Sequence, residues 1–287
     1  MPRHQRLTAP GVLLCLAALG PAPCRAAELP EILHRGTVAL ESDWAADLSY
    51  SYVLKEERTR GGKPAVRTSQ MVMIEGSDYY LPSAAERESS EIDKLRAEVQ
   101  RRQTESAEAR RQRIERFTRA REETGAMLLQ VPKAFAFELL REETMDGHPS
   151  YVLSATPLKR STAGLSRAAK VLSGMNCTMW IDAESFHAVR GECNVVSPVP
   201  VFGILARVLP GTHIELRMQP VTDSTWLPRE FSMVLTVSKF FLFRSTQETR
   251  YTYSDYQPNE NALRDLLAGG NRSRVTSGVL QRYQRIF

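Results

Sequence analysis

The chain has 287 residues, of which 42% are hydrophobic and 25% charged, with a formal charge of +5. These proportions exclude a bundle of membrane-spanning helices and a disordered chain. Arg3, Arg6 and Arg25 lie within the first 26 residues, so a chain starting at Ala27 or Glu28 carries +2, and a nucleic-acid partner is not expected.

Residues 1–26 read as a secretory signal peptide. Arg3, His4 and Arg6 precede the apolar run Gly11 to Gly20, and the neighbourhood of Cys24-Arg25-Ala26 supplies a small-residue cleavage site. That run is about half the length a bilayer span requires. No second apolar stretch of spanning length follows, so the expectation is a periplasmic protein that is not integral to a membrane. Leu14 before Cys15 and Pro23 before Cys24 do not offer the small residue that lipidation of an N-terminal cysteine needs.

Leu29 to Ala46 has apolar residues at loosely helical spacing, Ile32, Leu33, Leu40 and Trp44 among them, and predicts a first helix. Leu48 to Thr59 alternates with Leu48, Tyr50, Tyr52 and Leu54 on one face, and Gly61-Gly62-Lys63-Pro64 turns it into Val66 to Glu75 as a β-hairpin. From Ser83 to Thr124 there is neither glycine nor proline, and Glu, Arg, Ala and Gln dominate, which predicts one long charged helix inserted at 83–124. Its apolar patches, Ile92/Leu95/Val99 and Ile114/Phe117, are too sparse for a coiled-coil seam. The expectation is a solvated arm outside the core, with partner docking as the other reading.

Strands resume at Ala134 to Leu140, where Phe135, Phe137 and Leu139 share a face, and Asp146-Gly147-His148-Pro149 turns into Tyr151 to Thr156. Met175 to Asp182 and Phe186 to Val196 form the next hairpin. Phe202 to Leu209, between Pro200 and Pro210, fits a short amphipathic helix or loop. Thr212 to Met218, Trp226 to Val237 and Phe240 to Tyr253 complete about nine or ten strands, and 257–287 reads as a polar C-terminal tail. Short connections throughout mean a mainly β (α+β) fold, a curved antiparallel sheet or barrel rather than a parallel α/β one.

With Cys15 and Cys24 in the leader, Cys177 and Cys193 remain as one possible pair. Val189, Gly191, Cys193 and Val195 alternate with Arg190, Glu192 and Asn194, so Cys193 belongs to the buried face. Pairing Ile181 with Val189 and Met179 with Gly191 sets Cys177 opposite Cys193, as a disulfide or as two buried thiols; we expect the disulfide. No metal site is expected from two ligands. The chain has no Gly-x-Ser-x-Gly elbow, His-Glu-x-x-His, phosphate-binding glycine loop or dinucleotide fingerprint, so neither catalytic residues nor a cofactor are expected.

The segments Phe135 to Leu139, Asp146 to Leu153, Met179-Trp180-Ile181-Asp182, Trp226-Leu227-Pro228 and Tyr251-Thr252-Tyr253-Ser254-Asp255-Tyr256 resemble those of secreted bacterial proteins grouped with the outer-membrane lipoprotein-sorting, LolA-like family. The resemblance covers roughly Tyr50 to Tyr256, within a domain set at 28–256. It implies a curved antiparallel half-barrel closed by helices, whose concave apolar face accepts acyl chains. The inserted helix departs from the carrier proper. Phe202, Ile204, Leu205, Val208 and Leu209 are then expected as a lid, with Phe135, Phe137, Met179 and Ile181 as floor. The expected partners are lipid acyl chains or a lipid-modified protein; the other reading is an envelope protein-interaction platform whose concavity its own side chains fill.

Overall fold

The structure, a computed structural model, describes residues 27–158, 171, 174–201, 206–239 and 243–269. Twelve antiparallel strands form one open sheet: β1 (Tyr50–Arg60), β2 (Lys63–Ile74), β3 (Ser77–Pro82), β4 (Phe135–Met145), β5 (His148–Pro157), β6 (Met175–Asp182), β7 (Ala188–Val195), β8 (Val199–Pro200), β9 (Ala206–Val208), β10 (His213–Thr222), β11 (Thr225–Lys239) and β12 (Phe243–Pro258). Ten strands lie along the path β3-β2-β1-β12-β11-β10-β7-β6-β5-β4, and the short β8 and β9 lie off it. The described helices are α1 (Leu29–Ala46), α2 (Ser89–Thr104), α3 (Ala107–Ala134) and α4 (Asn259–Gly269). The architecture is the expected mainly β half-barrel with helices.

Two tight turns show how local chemistry sets register. Gly61 and Gly62 both have positive φ and join Arg60 to Lys63, while Asp146 and Gly147 do the same between Met145 and His148. Positive φ at both central residues gives a hairpin turn whose twist matches the strands, and glycine carries it without strain.

The chain begins mid-sheet, runs outward to β3, crosses to the opposite edge at β4, and returns strand by strand until β12 pairs with β1. The expected single helix is this crossover, and it is two helices. Glu105 is extended at ψ 152°, and Ser106 caps α3 by accepting from the Ala109 N–H at 3.2 Å. α3 also continues past Thr124 to Ala134. Ile114 lies against Gly76 in the β2–β3 turn, and Ala134 leads directly into β4. The twenty-one residue steps from Ile114 to Phe135 reach about 32 Å along a helix. Nine interstrand steps span about 43 Å if flat. The sheet therefore bends, with α3 as the chord across its concave side.

Both parts of the insertion are docked, which corrects the solvated arm. Ile92, Leu95 and Val99 of α2 are buried with Val72, Ile74 and Leu81 on the outer face of β2 and β3. The same core contains Ala262, Leu263, Leu266 and Leu267 of α4, so the stretch expected to open a polar tail is an amphipathic helix. Asn259 ties it down: its Oδ1 accepts from the Met73 N–H and the Ser51 hydroxyl, each at 2.6 Å, and its Nδ2 donates to the Met73 carbonyl at 2.9 Å.

α1 packs on the inner face, where Ile32 is fully buried with Tyr151, Leu153, Ile181 and Phe186. Asp43 fixes its far end. Its Oδ1 accepts from the Trp226 N–H at 2.8 Å and its Oδ2 lies 2.7 Å from His187 Nδ1, both carboxylate and imidazole being buried.

Candidate ligand-binding face

The inner face is built from cross-strand rows, because residues directly opposite across antiparallel strands share a side. One row runs Leu139, Leu153, Met179, Gly191, Leu216, Phe231, Tyr251, Glu56, Arg67 from β4 to β2. A neighbouring row runs Phe137, Ala155, Cys177, Cys193, Ile214, Met233, Thr249, Arg58. Both are mostly apolar until they reach β1 and β2, where they become charged.

Cys177 and Cys193 are disulfide-bonded within the second row, and Met179 pairs with Gly191 as expected. Ile181 is a correction: it pairs with Ala188, because a bulge after Trp180 displaces Val189 from the register.

The expected floor divides. Phe137 and Met179 are half-buried on the inner face, whereas Ile181 is covered by α1 and Phe135 is buried in a cluster with Met175 and Val199. Of the expected lid, Val208 is buried in that same cluster as part of β9, pairing with Val237, and Leu209 is half-buried with its N–H bonded to the Thr236 carbonyl. Ala206–Val208 is thus strand rather than helix. Phe202, Ile204 and Leu205 lie outside the described residues.

The more open half of the inner face lies toward β1, β2, β3 and β12, and its aromatic residues were expected from the sequence as strand residues but not as floor. Phe231 stacks on Tyr251, and Tyr52 meets Tyr253 and Tyr256 with centroids 5.4 and 5.5 Å apart. Burial above all, then neighbouring tyrosines and the Asp47 carboxylate, push the Tyr52 hydroxyl far above the ordinary tyrosine range; burial does the same at Tyr253 and Tyr256. All three stay neutral, so this floor offers aromatic area and hydroxyl donors but no anion. Tyr256 donates to the Pro228 carbonyl at 2.7 Å. With Leu54 and Tyr80, Tyr52, Tyr251 and Tyr253 line a hollow of about 430 Å³ whose basic side is Arg58 and Arg67.

A second hollow, of about 630 Å³, lies between α3 and the ends of β1, β2 and β12. Leu48, Met73, Ile114, Phe117 and Pro258 supply its apolar lining, with Glu75 and Arg110 at the rim, 2.9 Å apart. Its size falls in the range of small-ligand sites. The Ile114/Phe117 patch was visible in the sequence; the cleft it faces required the crossover. Arg121 anchors the far half of α3 to Asp47 at 2.8 Å, and Gly125 admits Trp44, whose Nε1 would stand 2.9 Å from a Cβ there.

The molecule is therefore an open antiparallel half-barrel with helices on both faces and a partly uncovered aromatic inner face. Its fold is similar to that of the LolA superfamily protein NE2245 from Nitrosomonas europaea, at 13% identity over 81% of this chain and 94% of that one, with a TM-score of 0.34. A domain assigned to outer-membrane lipoprotein sorting from Vibrio parahaemolyticus is similar at 11% identity over 80% and 98%, TM-score 0.34. The MucA/MucB complex of Pseudomonas aeruginosa contains a chain similar at 10% identity over 78% and 98%, TM-score 0.23. No family model and no curated protein matches the sequence. No described helix is long and apolar enough to cross a membrane.

Proposed function

We propose that this is a periplasmic binding protein of carrier-like character, which buries acyl chains of a lipid or a lipid-modified protein against the inner face without a catalytic step. The observation that supports it is the juxtaposition of a half-buried aromatic floor and an apolar cleft beneath α3. Each methylene moved from water into such a cleft contributes about 0.8 kcal/mol, so part of one chain supplies useful affinity with no precise polar contact. Residues 1–26, read as a signal peptide, supply the route to the periplasm. Phe137 and Met179 remain proposed floor residues, joined by Tyr52, Phe231, Tyr251 and Tyr253; Ile114 and Phe117 of α3 cover the chain. Of the expected lid, Phe202, Ile204 and Leu205 are kept as a proposed cover on the strength of the sequence alone, while Val208 belongs to the core.

A second reading has one observation in its favour: α1 already fills the β5–β6 end of the inner face with Ile32. On that reading the remaining aromatic and arginine-rich surface engages an envelope protein, since tyrosine and arginine dominate interface hot spots. Native mass spectrometry of periplasmic material after mild extraction separates the two. Co-purified acyl-bearing mass supports the carrier; a bare chain that also fails to take up added fatty acid refutes it.

A further inference from the structure

We infer that the ligand is an amphiphile with an anionic headgroup, phosphate or its equivalent, bound by the β1–β2 hairpin. This rests on the acyl-binding reading above and adds the headgroup chemistry.

The hairpin register places Arg58, Arg60, Lys63 and Arg67 on the inner side of the sheet. Arg60 pairs with Lys63 and Arg67 with Glu56, whose row continues through Tyr251 and Phe231. Four cations thus continue the aromatic floor toward the hairpin tip. Against them the same side of the hairpin sets one carboxylate, Glu56, which pairs with Arg58. Glu57 belongs to the opposite side, where it meets Lys55 at 2.9 Å. Arg58 also donates to the Tyr251 hydroxyl at 3.1 Å. Arg60, Lys63 and Arg67 are exposed and have no ion-pair partner among the described residues.

Two other charged groups near the apolar rows are taken up within the fold. Arg190, Glu192, Glu215 and Arg217 interlock on the outer face, and Asp47 at the other end of the tyrosine floor is taken by Arg121. Arg60, Lys63 and Arg67 thus sit together, exposed, on one hairpin where the apolar trough opens. An alkyl chain lying along Tyr251 and Tyr253 would bring its head to Arg58 and Arg67, which line the same hollow. Guanidinium groups suit phosphate and carboxylate by paired N–H donation.

Calorimetric titration of the full chain with single-chain C12 amphiphiles below their micelle concentrations tests this. The probes are dodecyl phosphate, dodecyl maltoside, dodecyltrimethylammonium and inorganic phosphate. Dodecyl phosphate should bind about tenfold more tightly than dodecyl maltoside, the effect of two or three exposed charge pairs. That preference should shrink with added salt. In R60S/K63S, and independently in R67S, the affinity for dodecyl phosphate should fall toward that for dodecyl maltoside. Equal binding of anionic and neutral probes overturns the headgroup assignment while the acyl-binding function stands. Inorganic phosphate binding as tightly as dodecyl phosphate also overturns it, since the chain then contributes nothing. If no C12 probe binds, the acyl-binding reading fails and takes this one with it.

Discussion

The buried guanidinium of Arg102 on α2 donates through Nη1 to the backbone carbonyl of Ile74, 2.8 Å away at the end of β2. The same nitrogen reaches the Ser77 carbonyl at 3.0 Å and hydroxyl at 2.9 Å, and Nη2 reaches the Asp78 carbonyl at 3.2 Å. A charged side chain is thus serving as the internal cap of the β2–β3 turn. R102M keeps the aliphatic bulk but leaves these buried acceptors unsatisfied, and a charge-assisted bond contributes about 1.5–3 kcal/mol. The expected loss in urea unfolding is about 3 kcal/mol. By the same reasoning, deletion of Gln100 to Arg113 should abolish the cooperative transition, whereas a solvated arm would tolerate it.

Glu98 connects that turn to pH. Its carboxyl is held at about 2 rather than the ordinary 4.5, through the hydrogen bond from Arg101 first, against a burial effect that opposes it, with Arg102 assisting. A depressed folded-state pKa means stability present above the unfolded value and lost as pH falls from about 4.5 toward 2. The side chain is partly solvated, so the effect is modest. Stability of the wild type should drop more steeply than that of E98Q across this window. Parallel acid limbs in urea midpoints measured from pH 5 to 2 would contradict it.

The disulfide closes a loop between residues 16 apart in sequence. A loop of this length restricts the unfolded chain by about 3 kcal/mol. C177S/C193S should therefore stay folded but melt at lower temperature, and thiol labelling of denatured, unreduced wild type should find no free cysteine. Two reactive thiols in periplasmic material would remove the bridge.

Where period-two alternation and turn chemistry agreed, the sequence was legible. Cys177 opposite Cys193 and the Gly61-Gly62 turn follow from side-chain alternation and positive φ, both local properties. The Val189 bulge was not, because Ala188 and Val189 are both apolar, so the phase shift that one inserted residue makes leaves no polar residue out of place. Arg102 could not be recognised as a core residue, since its partners are carbonyls from a turn 25 residues away in sequence. α4 was readable and was missed: Ala262, Leu263, Leu266 and Leu267 have helical spacing inside a polar context. The proposed binding face is a product of strand pairing, and nothing in Tyr52 or Tyr253 alone says that β1 and β12 will bring them together in one hollow.

Gly125 sets the separation of α1 and α3. A Cβ at this position would approach the Trp44 ring nitrogen to 2.9 Å, closer than such atoms come without movement. G125V should force the helices apart at a cost of about 1–3 kcal/mol, the usual range for overpacking. If the helices share a rigid contact, Trp fluorescence should also shift; an unchanged spectrum and melting temperature would show that they are free to slide.

Phe117 provides the sharpest test of the cleft. It lies on α3, half-buried, and lines the same cleft as Leu48 and Met73. F117S removes apolar area facing the cleft while leaving α2, α4 and the Arg102 cap untouched. A ligand-covering residue should then lose binding of a dodecyl chain by roughly ten- to a hundredfold, the equivalent of about 1.4–2.8 kcal/mol, while the melting temperature moves by only a few degrees. A residue whose role is to hold α3 on the sheet should show the reverse, with a large fall in stability and unchanged affinity in the fraction that remains folded. M73S, on the opposite wall, should reproduce the binding loss if the chain passes between the two side chains. Normal binding by both variants would place the acyl chain elsewhere on the inner face, beyond the cover of α3.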